Sequence, residues 1–288
     1  MSQTIGIAGT GRMGTAFARR LIETGHPVKV WNRSPARTAS AVSAGAEAVD
    51  LPGLAACNVI LLSLTDAAAS HGVLRDLASA GLSGLLVIEM STLLPDDAEA
   101  LAATANAAGA DFVHCPVGGT VAPALKGQLL GMAGGTEAAC DRARPVLDHL
   151  CRRVEHLGTC GAAARMKLAV NLPLAIYWQT LGESLALLRG SGVPDDLAIS
   201  LMADSSAGPT VLKNRAQVVL DTLAGTDQKG TFDIAGLAKD LALALHLADA
   251  EAARMPLARS AALRYAAAVS DGLGGFDGAS LTREAAGR

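Results

Sequence analysis

Short apolar runs alternate with amphipathic stretches over the first half of the chain. Thr4 to Ala8 is a nearly continuous apolar run, the pattern of a strand covered on both faces. Thr15 to Thr24 places apolar positions at helical spacing and stops at Gly25, and Val28 to Trp31 is the next strand. The alternation continues with a strand over Val59 to Leu64, a helix over Ala67 to Ala80 and a strand over Leu85 to Glu89. Pro95 then opens a helix over Asp96 to Ala108, and a strand spans Phe112 to Cys115. One more strand is expected near Gly131 to Gly134, before a helix over Thr136 to Leu150. Repeated strand–helix pairs of this length predict an α/β fold with a doubly wound parallel sheet.

After Leu157 the strand signal stops. Helical periodicity runs over 162–190, 195–203, 209–223, 231–251 and 256–270. The boundary is therefore expected near Gly158 to Gly161, with one domain over 1–160 and an all-α domain over 161–288. A long interdomain helix begins the second domain, bordering the cleft, and Pro173 is expected to kink it.

Composition narrows the classes. The chain has 288 residues, half of them hydrophobic but only 3% aromatic, so its core must be built of Ala, Leu and Val. The formal net charge is −3 with no basic run, which argues against nucleic acid as a partner. No apolar run reaches membrane-span length and the N-terminus has no signal-peptide pattern. Five cysteines without a CxxC fit free thiols in a reducing, cytoplasmic setting. Six scattered histidines show no ligand spacing, so no metal is expected. The Ala- and Leu-rich helical half would expose apolar faces as a monomer, and a homodimer through that half is expected.

Candidate chemistry begins at Gly9-Thr10-Gly11-Arg12-Met13-Gly14, which sits between the first strand and the first helix. GxGxxG in that setting is the dinucleotide-binding pattern of a Rossmann domain. Its first glycine allows the tight turn, its second lets backbone approach a pyrophosphate at the helix N-terminus, and its third lets helix and strand pack closely. The second strand ends in Asn32-Arg33-Ser34-Pro35-Ala36-Arg37, with no carboxylate for a ribose hydroxyl. Arg33, Ser34 and Arg37 offer charge and a hydroxyl to a 2′-phosphate, so NADP is the expected cofactor; a solvated basic loop is the alternative reading. Leu64, Thr65, Ser91, Thr92 and the loop after Cys115 all fall on the carboxyl edge of the sheet, where ligands of this architecture bind. Taken singly, the polar ones read as turn residues and helix caps. Gly118, Gly119 and Thr120 present backbone N–H groups and a hydroxyl suited to a carboxylate.

The helix from Gly158 to Leu181 is apolar nearly all round, and from Met166 onward Lys167 is its single charge. An ammonium there is costly unless paired, solvated or neutralised; a lysine snorkelling to the surface is the bland reading. Asn171 follows one turn later on the same face. Lys239-Asp240 reads equally as a solvated pair and as a second cation for the cleft.

Taken in order, these motifs resemble the β-hydroxyacid dehydrogenases, a family that includes 3-hydroxyisobutyrate dehydrogenase and several semialdehyde reductases. The resemblance covers nearly the whole chain. It rests on Gly9 to Gly14, on His114 to Thr120 at the family's DAPVSGG substrate loop, and on Gly158, Gly161, Lys167 and Asn171 at its GxxGxGxxxKxxxN motif. Lys239 to Ala244 matches its KDLxLA segment, Asp277 a C-terminal element, and Asn32-Arg33-Ser34 the signature of NADPH-using members. The departures are Ala163 at the third glycine, Gly118 at the loop serine, Thr120 at its last glycine and His114 at an acidic position.

The resemblance implies hydride transfer between NADPH and a small aldehyde acid or 3-hydroxyacid. Lys167 would be the general acid/base and Asn171 its partner or a substrate contact. Gly118, Gly119 and Thr120 would hold the substrate, while Leu64, Thr65, Thr92 and Lys239 would lie along the cofactor. The imine reductases, a sister group that generally lacks the lysine, give a second reading with an imine as substrate. A non-catalytic NADP-binding scaffold is a third, and a mere binder would need neither Lys167 nor Asn171.

Overall fold

The computed structural model describes residues 3–287, which form two compact units, the first ending at Lys167 and the second beginning at Leu168. In the first unit, β1 (Ile5–Ala8), β2 (Val28–Trp31), β3 (Glu47–Ala48), β4 (Val59–Leu62), β5 (Leu86–Glu89) and β6 (Asp111–His114) make one parallel sheet. Its order is β3-β2-β1-β4-β5-β6, so the chain winds outward in both directions from β1 and the switch point lies between β1 and β4. Ile5 pairs with Val28 on one side and Val59 on the other.

The central strands are covered on both faces. Ile5, Ile7, Leu61, Ile88 and Val113 pack into one core with Phe17 and Leu21 of α1 (Arg12–Glu23). The alternate positions Ala8, Ile60, Leu62, Val87 and Phe112 pack into a second core. That second core takes in Val73, Leu74 and Leu77 of α3 (Ala67–Ala80) and Leu101 of α4 (Pro95–Ala107). The four-residue α2 (Ala39–Val42) lies between β2 and β3. Buried residues in an unbroken run carry no period-two signal, which is why these strands read as apolar blocks.

Beyond β6 come β7 (Val117–Gly118), α5 (Val121–Leu125), β8 (Leu129–Ala133), α6 (Glu137–Leu150), β9 (Cys151–His156) and α7 (Cys160–Ala186). β7, β8 and β9 form a separate three-stranded sheet, with β7 antiparallel and β9 parallel to β8. The sequence pattern predicted neither β7 nor β9. Four of the six residues of β9 are exposed and most are charged, so it has no apolar run, and β7 is only two residues long. The edge strand β3 is likewise short and exposed on both residues. α1 starts at Arg12 rather than Thr15, because the last residues of the glycine motif form its first turn.

The second unit is helical: the remainder of α7, α8 (Asp195–Asp204), α9 (Thr210–Leu223), α10 (Ile234–Ala250), α11 (Pro256–Ser270) and α12 (Leu281–Ala285). Trp178, Leu181, Ile199, Leu212, Val219, Leu237, Leu241 and Tyr265 are among its core residues. The Tyr265 hydroxyl donates to the Ala175 carbonyl at 2.9 Å, so this buried phenol is satisfied. α7 continues through Pro173 and ends at Ala186, four residues short of the expected limit, in a turn that closes on Gly190 with φ +75°.

Candidate active site

The glycine turn closes β1 onto α1, and each glycine answers to a different constraint. Gly9 has φ +99°, and a Cβ there would stand 2.2 Å from the Ser63 carbonyl oxygen. A Cβ on Gly14 would stand 1.9 Å from the Gly9 carbonyl oxygen. At Gly11 a Cβ would meet nothing within 4 Å. Two glycines are thus required by the protein's own packing, while the third bares its backbone to open space. Gly11 is the N-cap of α1 and supplies no capping side chain, and the first-turn N–H groups of a helix have no acceptor within it. That arrangement fits a pyrophosphate.

The end of β2 is tied to this turn. Asn32 Oδ1 accepts from the Thr10 N–H at 3.2 Å, the Thr10 hydroxyl donates to the Arg37 carbonyl at 3.0 Å, and Asn32 Nδ2 donates to the Ser34 carbonyl at 3.0 Å. Asn32 and Thr10 thus tie the loop to the glycine turn, and Arg33, Ser34 and Arg37 are its exposed polar groups.

Leu64, Thr65, Ser91 and Thr92 come together at the ends of β4 and β5. The Leu64 N–H donates to Ser91 Oγ at 2.9 Å. Thr65 donates its hydroxyl to Asp66 at 3.0 Å, and Asp66 caps α3 by accepting from the Ala69 N–H at 2.8 Å. Beneath them Glu89 is fully buried, its Oε1 accepting from the Ser91 N–H at 2.7 Å. Burial raises the Glu89 carboxyl pKa, with the nearby Ser91 and Ser70 hydroxyls working against the shift; Ser70 Oγ nevertheless makes no hydrogen bond of ordinary geometry. His114, in register with Glu89 on β6, is also fully buried, and burial pushes its imidazole down to about 3. Glu89 carries a readable signal, a carboxylate closing an otherwise apolar strand, that the sequence reading did not use.

Lys167 is 8% exposed, and its Nζ donates to the Val117 carbonyl at 2.8 Å. This fastens the amine beside Gly118 and Gly119, the residues expected to receive substrate. Gly118 pairs with Leu130 in β7, Gly119 has φ +117°, and Thr120 is the N-cap of α5. The segment is a strand and helix start rather than a plain loop. The helix carrying Lys167 is itself anchored where the Gly161 N–H donates to Glu99 at 2.7 Å.

In the second unit Asn171, Lys239 and Asp240 form a group of their own. Asn171 Nδ2 donates to Asp240 Oδ2 at 2.6 Å, and Lys239 Nζ lies 3.5 Å from Asp240 Oδ1. Asp240 is buried while the Lys239 side chain is 39% exposed. The pair left open by periodicity is thus a buried carboxylate with a half-exposed cation. Asp240 has no role legible in one dimension, because a Lys-Asp dipeptide has no pattern that separates the two.

Among the described residues no group of three or more His, Cys, Asp or Glu side chains is placed to hold a metal, all five cysteines are free and buried, and no helix is long and apolar enough to cross a membrane.

Residues 4–158 match the model of the NAD binding domain of 6-phosphogluconate dehydrogenase. Residues 161–284 match that of the NAD-binding region of NADP-dependent 3-hydroxyisobutyrate dehydrogenase. The chain is 32% identical to a 3-hydroxyisobutyrate dehydrogenase of Pseudomonas aeruginosa, over 88% of each chain. It is 29% identical to glyoxylate/succinic semialdehyde reductase 1 of Arabidopsis thaliana, over 95% of each. The solved structure of a Mycobacterium tuberculosis 3-hydroxyisobutyrate dehydrogenase with L-serine superposes with a TM-score of 0.88 at 27% identity, covering 99% of both chains.

Proposed function

Since the chain belongs to the β-hydroxyacid dehydrogenase family, oxidoreductases that use a nicotinamide dinucleotide, we propose that it reduces a small aldehyde acid with NADPH, or oxidises the matching 3-hydroxyacid, with Lys167 as general acid/base. The observation that carries this reading is the burial of the Lys167 amine with its contact to Val117, next to Gly118 and Gly119.

Gly9 to Gly14 hold the pyrophosphate, and Arg33, Ser34 and Arg37 take the 2′-phosphate. A planar guanidinium makes paired charge-assisted bonds to phosphate, which supports NADPH over NADH. Leu64, Thr65 and Thr92 line the remainder of the cofactor. When bound, the nicotinamide supplies the hydride. Gly118, Gly119 and Thr120 receive the substrate carboxylate through N–H groups and a hydroxyl, with Thr120 standing in for the serine that Gly118 displaces. Lys167, as an ammonium, donates a proton to the carbonyl oxygen as negative charge grows there; in the oxidative direction the neutral amine takes the hydroxyl proton. Asn171 orients the substrate or the amine, and Asp240 in turn fixes Asn171. Association into a homodimer through the helical unit is supported by Leu187, Leu197, Leu201, Leu257 and Leu263, all about half or more exposed.

The test is a panel of aldehyde acids, 3-hydroxyacids and cyclic imines assayed with NADPH and NADH, read by nicotinamide absorbance. Turnover of an aldehyde acid with NADPH preferred is the expected result. Turnover confined to imines would overturn the substrate class, and a clear NADH preference would overturn the cofactor assignment.

A further inference from the structure

Glu89 is an expensive residue for its position. Its neighbours on the same face of the sheet are the buried, apolar Ile60, Leu62, Val87 and Phe112 and, in register with it on β6, the buried His114, whose ring nitrogens make no hydrogen bond of ordinary geometry. Oε1 has the Ser91 N–H, but Oε2 has no hydrogen-bond partner among the described residues. A buried carboxyl with one oxygen unsatisfied stabilises the fold less than an apolar side chain of similar volume would. Breaches of this kind concentrate where a site has to be held in shape.

What Glu89 holds can be traced through two hydrogen bonds. Its Oε1 accepts from the Ser91 N–H at 2.7 Å, and Ser91 Oγ accepts from the Leu64 N–H at 2.9 Å. The path joins the end of β5 to the end of β4 through one buried hydroxyl. The loop it reaches is also what the glycine turn leans on: a Cβ at Gly9 would stand 2.2 Å from the Ser63 carbonyl oxygen and 2.9 Å from the Leu64 side chain. Thr65 and Thr92, assigned above to the cofactor, directly follow Leu64 and Ser91, the two residues joined by the second of these bonds. Burial favours the protonated acid at Glu89, and a neutral acid still accepts through Oε1.

We propose that Glu89 is a positioning residue for the nicotinamide cofactor: acting through Ser91, it holds the Ser63–Thr65 loop in the form against which the glycine turn rests. The proposal rests on the reading that Gly9 to Gly14 bind that cofactor. Glu89 touches neither cofactor nor substrate.

The experiment is a fluorescence titration of NADPH and NADH into wild type, Glu89→Gln, Glu89→Leu, Ser91→Ala and the Glu89→Leu/Ser91→Ala double variant, with circular dichroism to verify folding. The glutamine keeps an acceptor oxygen in the same place, so its Kd should stay within about threefold of wild type. Glu89→Leu leaves the Ser91 N–H unpaired and Ser91→Ala leaves the Leu64 N–H unpaired, so each should weaken cofactor binding about tenfold or more. Because both act on one path, the double variant should be no more than about threefold weaker than the worse single variant. In Ser91→Ala, the KM for the carbonyl substrate at saturating cofactor should change less than about threefold. Should Glu89→Leu fail to fold, Ser91→Ala and Glu89→Gln decide the matter between them. Binding in Ser91→Ala that matches wild type overturns this inference alone, as does a Glu89→Gln variant as weak as Ser91→Ala. A wild-type protein that binds neither dinucleotide overturns the cofactor reading, and this inference with it.

Discussion

Lys167 owes its proposed chemistry to where its contact with the Val117 carbonyl puts it. The Val117 oxygen accepts at 2.8 Å, which holds the amine at β7, the strand that Val117 forms with Gly118. Replacing Lys167 with Ala should lower kcat by roughly 10²–10⁴-fold, the usual worth of a general acid, and leave the NADPH Kd within about threefold. Steady-state kinetics beside a fluorescence titration reads both, and a variant that keeps most of its turnover sinks the assignment. Arg33 and Arg37 are exposed at the end of β2. The Arg33→Ala/Arg37→Ala double variant should lose more than about tenfold in NADPH affinity with NADH affinity little changed. His114 makes a stability prediction. Its imidazole is held at about 3 in the folded chain against an ordinary 6.5, so between those values the unfolded state binds the extra proton. Its contribution to stability is therefore present above pH 6.5 and lost as pH falls, by about 2 kcal/mol between pH 6.5 and 5. Glu89, with its raised pKa, acts in the opposite sense, its contribution being present at low pH and lost as pH rises through that raised value. Urea unfolding of wild type and His114→Leu at both pH values isolates the histidine; equal slopes for the two proteins would refute the assignment. Lys167 was legible because a lone charge on an apolar helix is visible in one dimension. Glu89 is visible as a carboxylate closing an apolar strand, but its link to Leu64 through Ser91 exists only once β4 and β5 pair.

Elements differ in how strongly local pattern specifies them. β1 and β4 are fully buried apolar blocks, β5 and β6 are apolar at their centres, and β2 alternates buried Val28 and Val30 with half-buried Lys29 and Trp31, while the glycine motif between β1 and α1 reads directly. Gly14 shows how much of that motif is packing: an added Cβ would meet the Gly9 carbonyl at 1.9 Å, and backbone cannot give way there cheaply. Gly14→Ala should lower stability by at least about 2 kcal/mol and weaken dinucleotide binding, as a thermal melt and a titration would show. An unchanged melting temperature would mean that the turn relaxes freely. β7 and β9 were not legible for the converse reason. They form the two edges of a three-stranded sheet, one too short for a pattern and the other largely exposed and charged, and both exist because β8 pairs with them.

For the whole molecule, the helical unit leaves Leu187 85%, Leu257 69% and Leu263 75% exposed. A homodimer at micromolar concentration is the expected state, measured by size-exclusion chromatography with light scattering, and a strictly monomeric protein would refute it. The doubly wound sheet, the helical second half, the dinucleotide turn and the family were all readable from residue order. Each is written in a local signal, either a run of apolar residues or glycines at fixed spacing, and local signals survive in one dimension. The small second sheet, the tie from Glu89 through Ser91 to Leu64, the burial of Asp240 against Asn171 and the depressed imidazole of His114 depended on folding. Each joins or encloses groups far apart in the chain, and both a desolvation penalty and a long-range hydrogen bond come into being only when the folded chain removes those groups from water.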